Sequence, residues 1–160
     1  MGVTILEAVF AAGLMALFMA GLFAMNGRNI QLLKSGKESF SATVVIEERT
    51  EQLRRGKWGE ITSDAYLQTI LNAPPLSAVN LPALAEQIVI SAYPPDGSIP
   101  ATAVTRSSVG AVAVVSSNPA LSAADTVLAT FRATWSGAPG GRTRVREIST
   151  VIANRGLITK

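Results

Sequence analysis

The sequence predicts an α+β fold. One long N-terminal helix crosses a membrane with its first half and packs its second half against a small antiparallel sheet of three to four strands. Three observations predict it. Residues 8–25 carry no charged side chain. No proline occurs before Pro74, and the stretch from Asn26 to Lys57 is rich in helix formers. Beyond residue 85 the pattern changes to short apolar runs separated by Gly- and Pro-rich connections. The chain therefore divides into a membrane helix (3–25), its amphipathic continuation (26–57) and a β-rich head (58–160).

Val3 to Met25 is 23 residues. As a helix it spans about 35 Å, enough for a hydrocarbon core of about 30 Å. A cleaved secretory signal wants a basic n-region, a shorter apolar core and a small-x-small cleavage site. Here no Lys or Arg precedes the segment, an acid opens its core, and the core is too long. A buried helix of a soluble protein would need a large apolar surface around it, which the remaining chain hardly supplies. Within the segment Ala8, Ala12, Ala16, Ala20 and Ala24 recur every fourth residue, with Gly13 and Gly21 beside that row. Small residues at this spacing let helix backbones approach closely in lipid. The row drifts by about 40° per step, so it offers contact to several neighbours. The competing reading is that alanine is simply common in membrane helices.

Glu7 is the exception in this segment. A carboxylate inside a membrane helix costs about 2.5–3.5 kcal/mol on insertion scales, so its presence asks for a compensating role. The run Gly2-Val3-Thr4-Ile5-Leu6-Glu7-Ala8-Val9 resembles the N-terminal signal of type IV pilins and pseudopilins. In that family a prepilin peptidase cuts after a glycine, the new N-terminus is N-methylated, and a carboxylate stands at the fifth mature position. The resemblance places Gly2 before the cut, Val3 at the mature N-terminus, Thr4 second and Glu7 fifth. Met1-Gly2 would then be the remnant of a leader.

The resemblance implies that Glu7 pairs with the methylated α-ammonium of a neighbouring subunit during assembly. An unpaired carboxylate in lipid is penalised and a partner's cation relieves it, so the acid would set register. Hydration of Glu7 at headgroup level is the alternative. The implied protein is a non-catalytic subunit of a type IV pilus-like filament, a minor pilin or secretion pseudopilin. Its partners would be the prepilin peptidase, other pilin or pseudopilin subunits, an inner-membrane assembly platform and the lipid bilayer. It would sit in a bacterial inner membrane with the head in the periplasm. The rival is a single-pass tethered periplasmic domain that never polymerises. Two departures stand out: Val3 replaces the usual phenylalanine, and no basic residue precedes the cut. Arg28, Lys34 and Lys37 follow the membrane segment, which by the positive-inside rule would favour a cytoplasmic head. The expectation is that a basic leader precedes this sequence.

Composition narrows the chemistry. All 14 Lys and Arg, and all but one of the 11 Asp and Glu, lie after Met25, leaving a formal net charge of +4 there. That excess is spread thinly, unlike a dense nucleic-acid-binding face, and no specific nucleic acid is predicted. The chain has no cysteine and no histidine. Disulfides, thiolate metal sites and a Ser-His-Asp triad are thereby excluded. Asp64, Asp96 and Asp125 are scattered, no S-x-x-K occurs, and no cofactor is implied. Asp96 beside Gly97 reads as a plain turn, with a calcium loop as the alternative.

Leu33, Phe40 and Val44, with Ile46 and Leu53, form the expected apolar stripe of the second helical half. Glu51 and Arg55 are an i,i+4 pair. "SGKES" (35–39) fails the phosphate-loop pattern, since Glu38 and Gln31 stand where it needs Ser/Thr and Gly; it reads as a solvated helix face. Short helices are expected near Asp64–Leu71 and Leu81–Ala85, and strands at 86–93, 107–117, 126–135 and 143–154. The last two form a hairpin across the glycine-rich "SGAPGGR". Val127, Phe131, Trp135, Val145, Ile148 and Val151 are core candidates. Trp58, Tyr93 and Trp135 belong either to core and rim packing or to a ligand groove.

Overall fold

The computed structural model describes residues 4–76, 81–94 and 99–154. Gly2, Val3 and Asp96 lie outside the described residues. The fold is α+β, as expected, with one more strand than the sequence pattern suggests.

Helix α1 runs unbroken from Ile5 to Arg54, 50 residues and about 75 Å. With no proline in it, nothing interrupts the backbone ladder. It ends where Arg55 caps it and Gly56 follows. A Cβ on Gly56 would collide with the Tyr66 ring, so the chain turns closely there only because the residue is glycine. Two short helices follow, α2 (Trp58–Ile61) and α3 (Asp64–Asn72).

Five strands complete the head: β1 (Ala85–Ala92), β2 (Thr102–Arg106), β3 (Val112–Ser116), β4 (Thr126–Gly137) and β5 (Arg142–Ala153). They form one antiparallel sheet in the order β3-β2-β1-β4-β5. The extra strand is β2. Residues 107–111, expected within a strand, are instead the β2–β3 turn. Ser107 N–H donates to Ala111 O at 2.8 Å, and Gly110 adopts φ +88°, which disfavours a side chain. The helix expected at Leu81–Ala85 is also absent: residues 82–83 form a turn and β1 starts at Ala85.

One face of the sheet packs on α1 and α3. Alternation places Ile88, Ile90, Val104, Val127, Ala129, Phe131, Ala133 and Trp135 on that face, all buried. From α1 come Ala42, Val45, Ile46 and Leu53, and from α3 Leu67, Ile70 and Leu71. Two expectations need correction here. Leu33 and Phe40 are exposed, because the docking stripe of α1 runs through Glu38, Ser41, Ala42, Val45, Ile46, Arg49 and Leu53. Val145 and Val151 are also exposed, at 46% and 50%. The register pairs Arg144 with Trp135 and Ile148 with Phe131, so the even positions of β5 face the helix and the valines face solvent. Ile148 does pack against the core, and Trp135 belongs to it. Trp58 packs on the core edge and donates through Nε1 to Ser122 O at 3.0 Å. Tyr93 is exposed.

Candidate functional site

The N-terminal part of α1 is the most unusual surface of the molecule. From Ile5 to Leu33 every side chain is exposed, including Phe10, Phe18 and Phe23. Among the described residues α1 is the single helix long and apolar enough to cross a membrane, and none of its most apolar stretch is buried by the rest of the chain. Ala8, Ala12, Ala16, Ala20 and Ala24 all stand open, and a Cβ added at Gly13 or Gly21 would meet no other atom. Such a helix is stable when lipid or other helices cover it, since either removes its apolar area from water.

Its first turn is built by Thr4 and Glu7. Thr4 is the N-cap, with an extended backbone, and its Oγ1 accepts the Glu7 N–H at 3.3 Å. Glu7 Oε2 in turn accepts the Thr4 N–H at 3.1 Å and lies 3.3 Å from Thr4 Oγ1. This is a capping box: two of the backbone donors that a helix start leaves free are satisfied reciprocally. The carboxylate also sits at the positive end of the helix dipole. Within a single chain, then, Glu7 already has local partners.

The head is fixed to the other half of α1 by two polar locks that the sequence pattern did not reveal. In the first, Arg49 and Glu86 are 2% and 5% exposed. Arg49 Nε donates to Glu86 Oε1 at 2.7 Å and Nη2 to Oε2 at 3.1 Å. Two further donors of Arg49 close the C-terminus of α3, reaching Ile70 O at 2.8 Å and Ala73 O at 2.7 Å, and another bonds Gln52 Oε1 at 2.9 Å. Arg106 Nη1 adds a 3.1 Å bond to Glu86 Oε2. The available signal was Arg49 itself, a lone cation between Ile46 and Leu53 on the apolar stripe.

The second lock lies where "SGKES" was expected to be solvated. Glu38 is instead 1% exposed, and its Oε2 accepts the Ala138 N–H at 2.9 Å. Arg144 donates to Ser35 Oγ and, through Nη2, to Ala138 O, each at 2.6 Å. The β4–β5 turn thus rests on α1 at Ser35–Glu38. Gly140 and Gly141 take φ +84° and +67° in that turn, a backbone geometry that favours glycine.

The opposite sheet face is open. A depression of about 410 Å³ there is lined by Gln87, Thr105, Arg132 and Thr134, among others, and its one acidic lining residue, Glu86, is held by the two arginines. No cluster of three or more potential metal ligands occurs among the described residues. Compared with known protein families, curated proteins and solved structures, the chain matches none.

Proposed function

We propose that this chain is a non-catalytic structural subunit of a type IV pilus-like filament, of the minor pilin or secretion pseudopilin kind. It would be processed by a prepilin peptidase after Gly2, N-methylated at Val3 and inserted in a bacterial inner membrane with its head in the periplasm. The observation that carries the reading is the coincidence of three features at one helix start. The run Gly2-Val3-Thr4-Ile5-Leu6-Glu7 resembles the family signal, a single acid stands in the apolar segment, and the uncovered helix behind it presents the small-residue row. Neighbouring subunits would cover that helix, and an adjoining α-ammonium would compete with Thr4 for the Glu7 carboxylate.

A specific observation favours the second reading, a tethered domain that does not polymerise. The capping box explains why an acid at Glu7 is tolerated without any partner chain. Co-expression with a prepilin peptidase and the pilus or secretion machinery tests the choice. Cleavage exposing Val3, and loss of filament incorporation in Glu7→Ala or Glu7→Leu with insertion retained, are the expected results. An intact N-terminus favours the tether, whereas normal incorporation of both variants overturns the pairing of Glu7 with an adjoining α-ammonium.

A further inference from the structure

Six of the 14 cations of this chain gather near one level along α1. Arg28, Lys34 and Lys37 follow the apolar segment, and all three are exposed. The second lock brings three more to the same level, because the β4–β5 turn seats on Ser35 and Glu38. Arg142, Arg144 and Arg146 leave that turn on the first residues of β5. Their partners Gly137, Trp135 and Ala133 belong to the buried face, so all three arginines lie on the helix side of the sheet.

The only acid in 26–40 or 138–146 is Glu38, and it is buried against Ala138. Among the described residues none of the six cations has a carboxylate within 4 Å. The rest of the chain is close to charge balance. On the helix, Arg28 lies roughly beneath Ser35, while Lys34 and Lys37 lie about 100–160° round from it. Both lysines are displaced in the same rotational direction, so with the hairpin arginines they cover about half of the helix circumference, on one side of the axis.

Height matters as much as charge. Met25 ends the uncharged segment, and Ser35 stands about 15 Å further along α1. The collar therefore spans the headgroup layer and the first water layers above it, within reach of flexible Arg and Lys side chains and of a Debye length of about 8 Å.

We propose that this collar is a docking surface for anionic lipid headgroups, which hold the membrane-proximal rim of the head against the bilayer. The proposal rests on membrane insertion of α1 but not on filament assembly. Because the head is fixed to α1, the two would tilt together, bringing the basic side down onto an anionic membrane and leaving it upright on a neutral one, with the Glu38–Ala138 and Arg144–Ser35 bonds keeping hairpin and helix in one basic surface.

The chain has no cysteine, so a fluorophore on Thr143→Cys, exposed beside the turn, reports the distance to the bilayer. The full chain is reconstituted in vesicles of phosphatidylcholine alone or mixed with phosphatidylglycerol, each with a headgroup-quencher lipid. Strong quenching is expected only with phosphatidylglycerol, fading as salt shortens the Debye length to about 3 Å at 1 M. Each collar cation replaced should lower the apposed-to-free ratio about fivefold. Arg142→Glu/Arg146→Glu should abolish the lipid preference, as should Lys34→Glu/Lys37→Glu on the helix side, an independent pair should either disturb folding. Equal, salt-insensitive quenching in the two lipids overturns the proposal. So does quenching that follows protein density instead of lipid charge, which would assign the collar to a second copy. Release of the chain by alkaline carbonate from both lipids would overturn the anchor reading as well.

Discussion

Arg49 on α1 and Glu86 on β1 meet at 2.7 Å inside the head, with both side chains almost wholly out of water. The pair ties helix to sheet, and Arg49 also closes the end of α3 through Ile70 O and Ala73 O. Desolvating two charges consumes much of their attraction, so the pair's worth lies in what breaking it exposes. Glu86→Leu is expected to destabilise the head by about 3–5 kcal/mol, because Arg49 is left buried without its counter-charge. Adding Arg49→Met should cost less than a second loss of that size. Denaturant unfolding of the solubilised full chain, run as a double-mutant cycle, reads this coupling; additive losses would show the pair to be inert.

The hairpin lock makes a separate demand. Arg144→Ala removes two charge-assisted hydrogen bonds, expected to cost about 1.5–3 kcal/mol, and should speed amide exchange at Ala138. Gly137→Ala should act the same way, since its Cβ would collide with the Arg144 side chain. Unchanged exchange at Ala138 in both variants would mean that Glu38 alone seats the turn.

Glu7→Gln separates the two roles available to Glu7. Glutamine at the third helical position still closes a capping box with Thr4 but carries no charge. If a neighbour's ammonium is the partner that matters, Glu7→Gln should insert normally and fail to enter filaments, the outcome also expected for Glu7→Ala. Incorporation of Glu7→Gln alone, counted by immunogold or pull-down of assembled filaments, would make capping the essential role.

Tyr66 provides a pH prediction. Burial raises its phenol pKa above the usual 10.0, the nearby Glu60 adds to the rise, and Arg55 opposes it. Its hydroxyl donates to Gln52 O at 2.9 Å, a bond only the neutral phenol makes. A folded pKa above the unfolded one means stability is fully present below about pH 10 and falls as pH rises through the folded value. Ultraviolet titration of the folded chain should show one tyrosine ionising late, and Tyr66→Phe should remove that phase and flatten the alkaline loss of stability.

Local pattern carried the two-part architecture well. An uncharged run of membrane length, the absence of proline up to Pro74 and the alternation in β4 are properties of neighbouring residues, and they made the helix and the final hairpin readable. The register of β5 was not readable in the same way. Val145, Ile148 and Val151 are spaced by three, which a period-two strand cannot bury on one face, and pairing with β4 decided that Ile148 turns inward while the valines turn out.

The sequence by itself determined that an exposed apolar helix carries one acid at its start, since composition and spacing along a single element suffice for that. Only the tertiary structure decided which face of α1 meets the head. Glu38 was expected on a solvated face and no expectation attached to Arg49, yet each finds its partner 100 and 37 residues away, at Ala138 and Glu86. Burial of a polar group depends on a distant atom able to satisfy it, and folding alone brings that atom near.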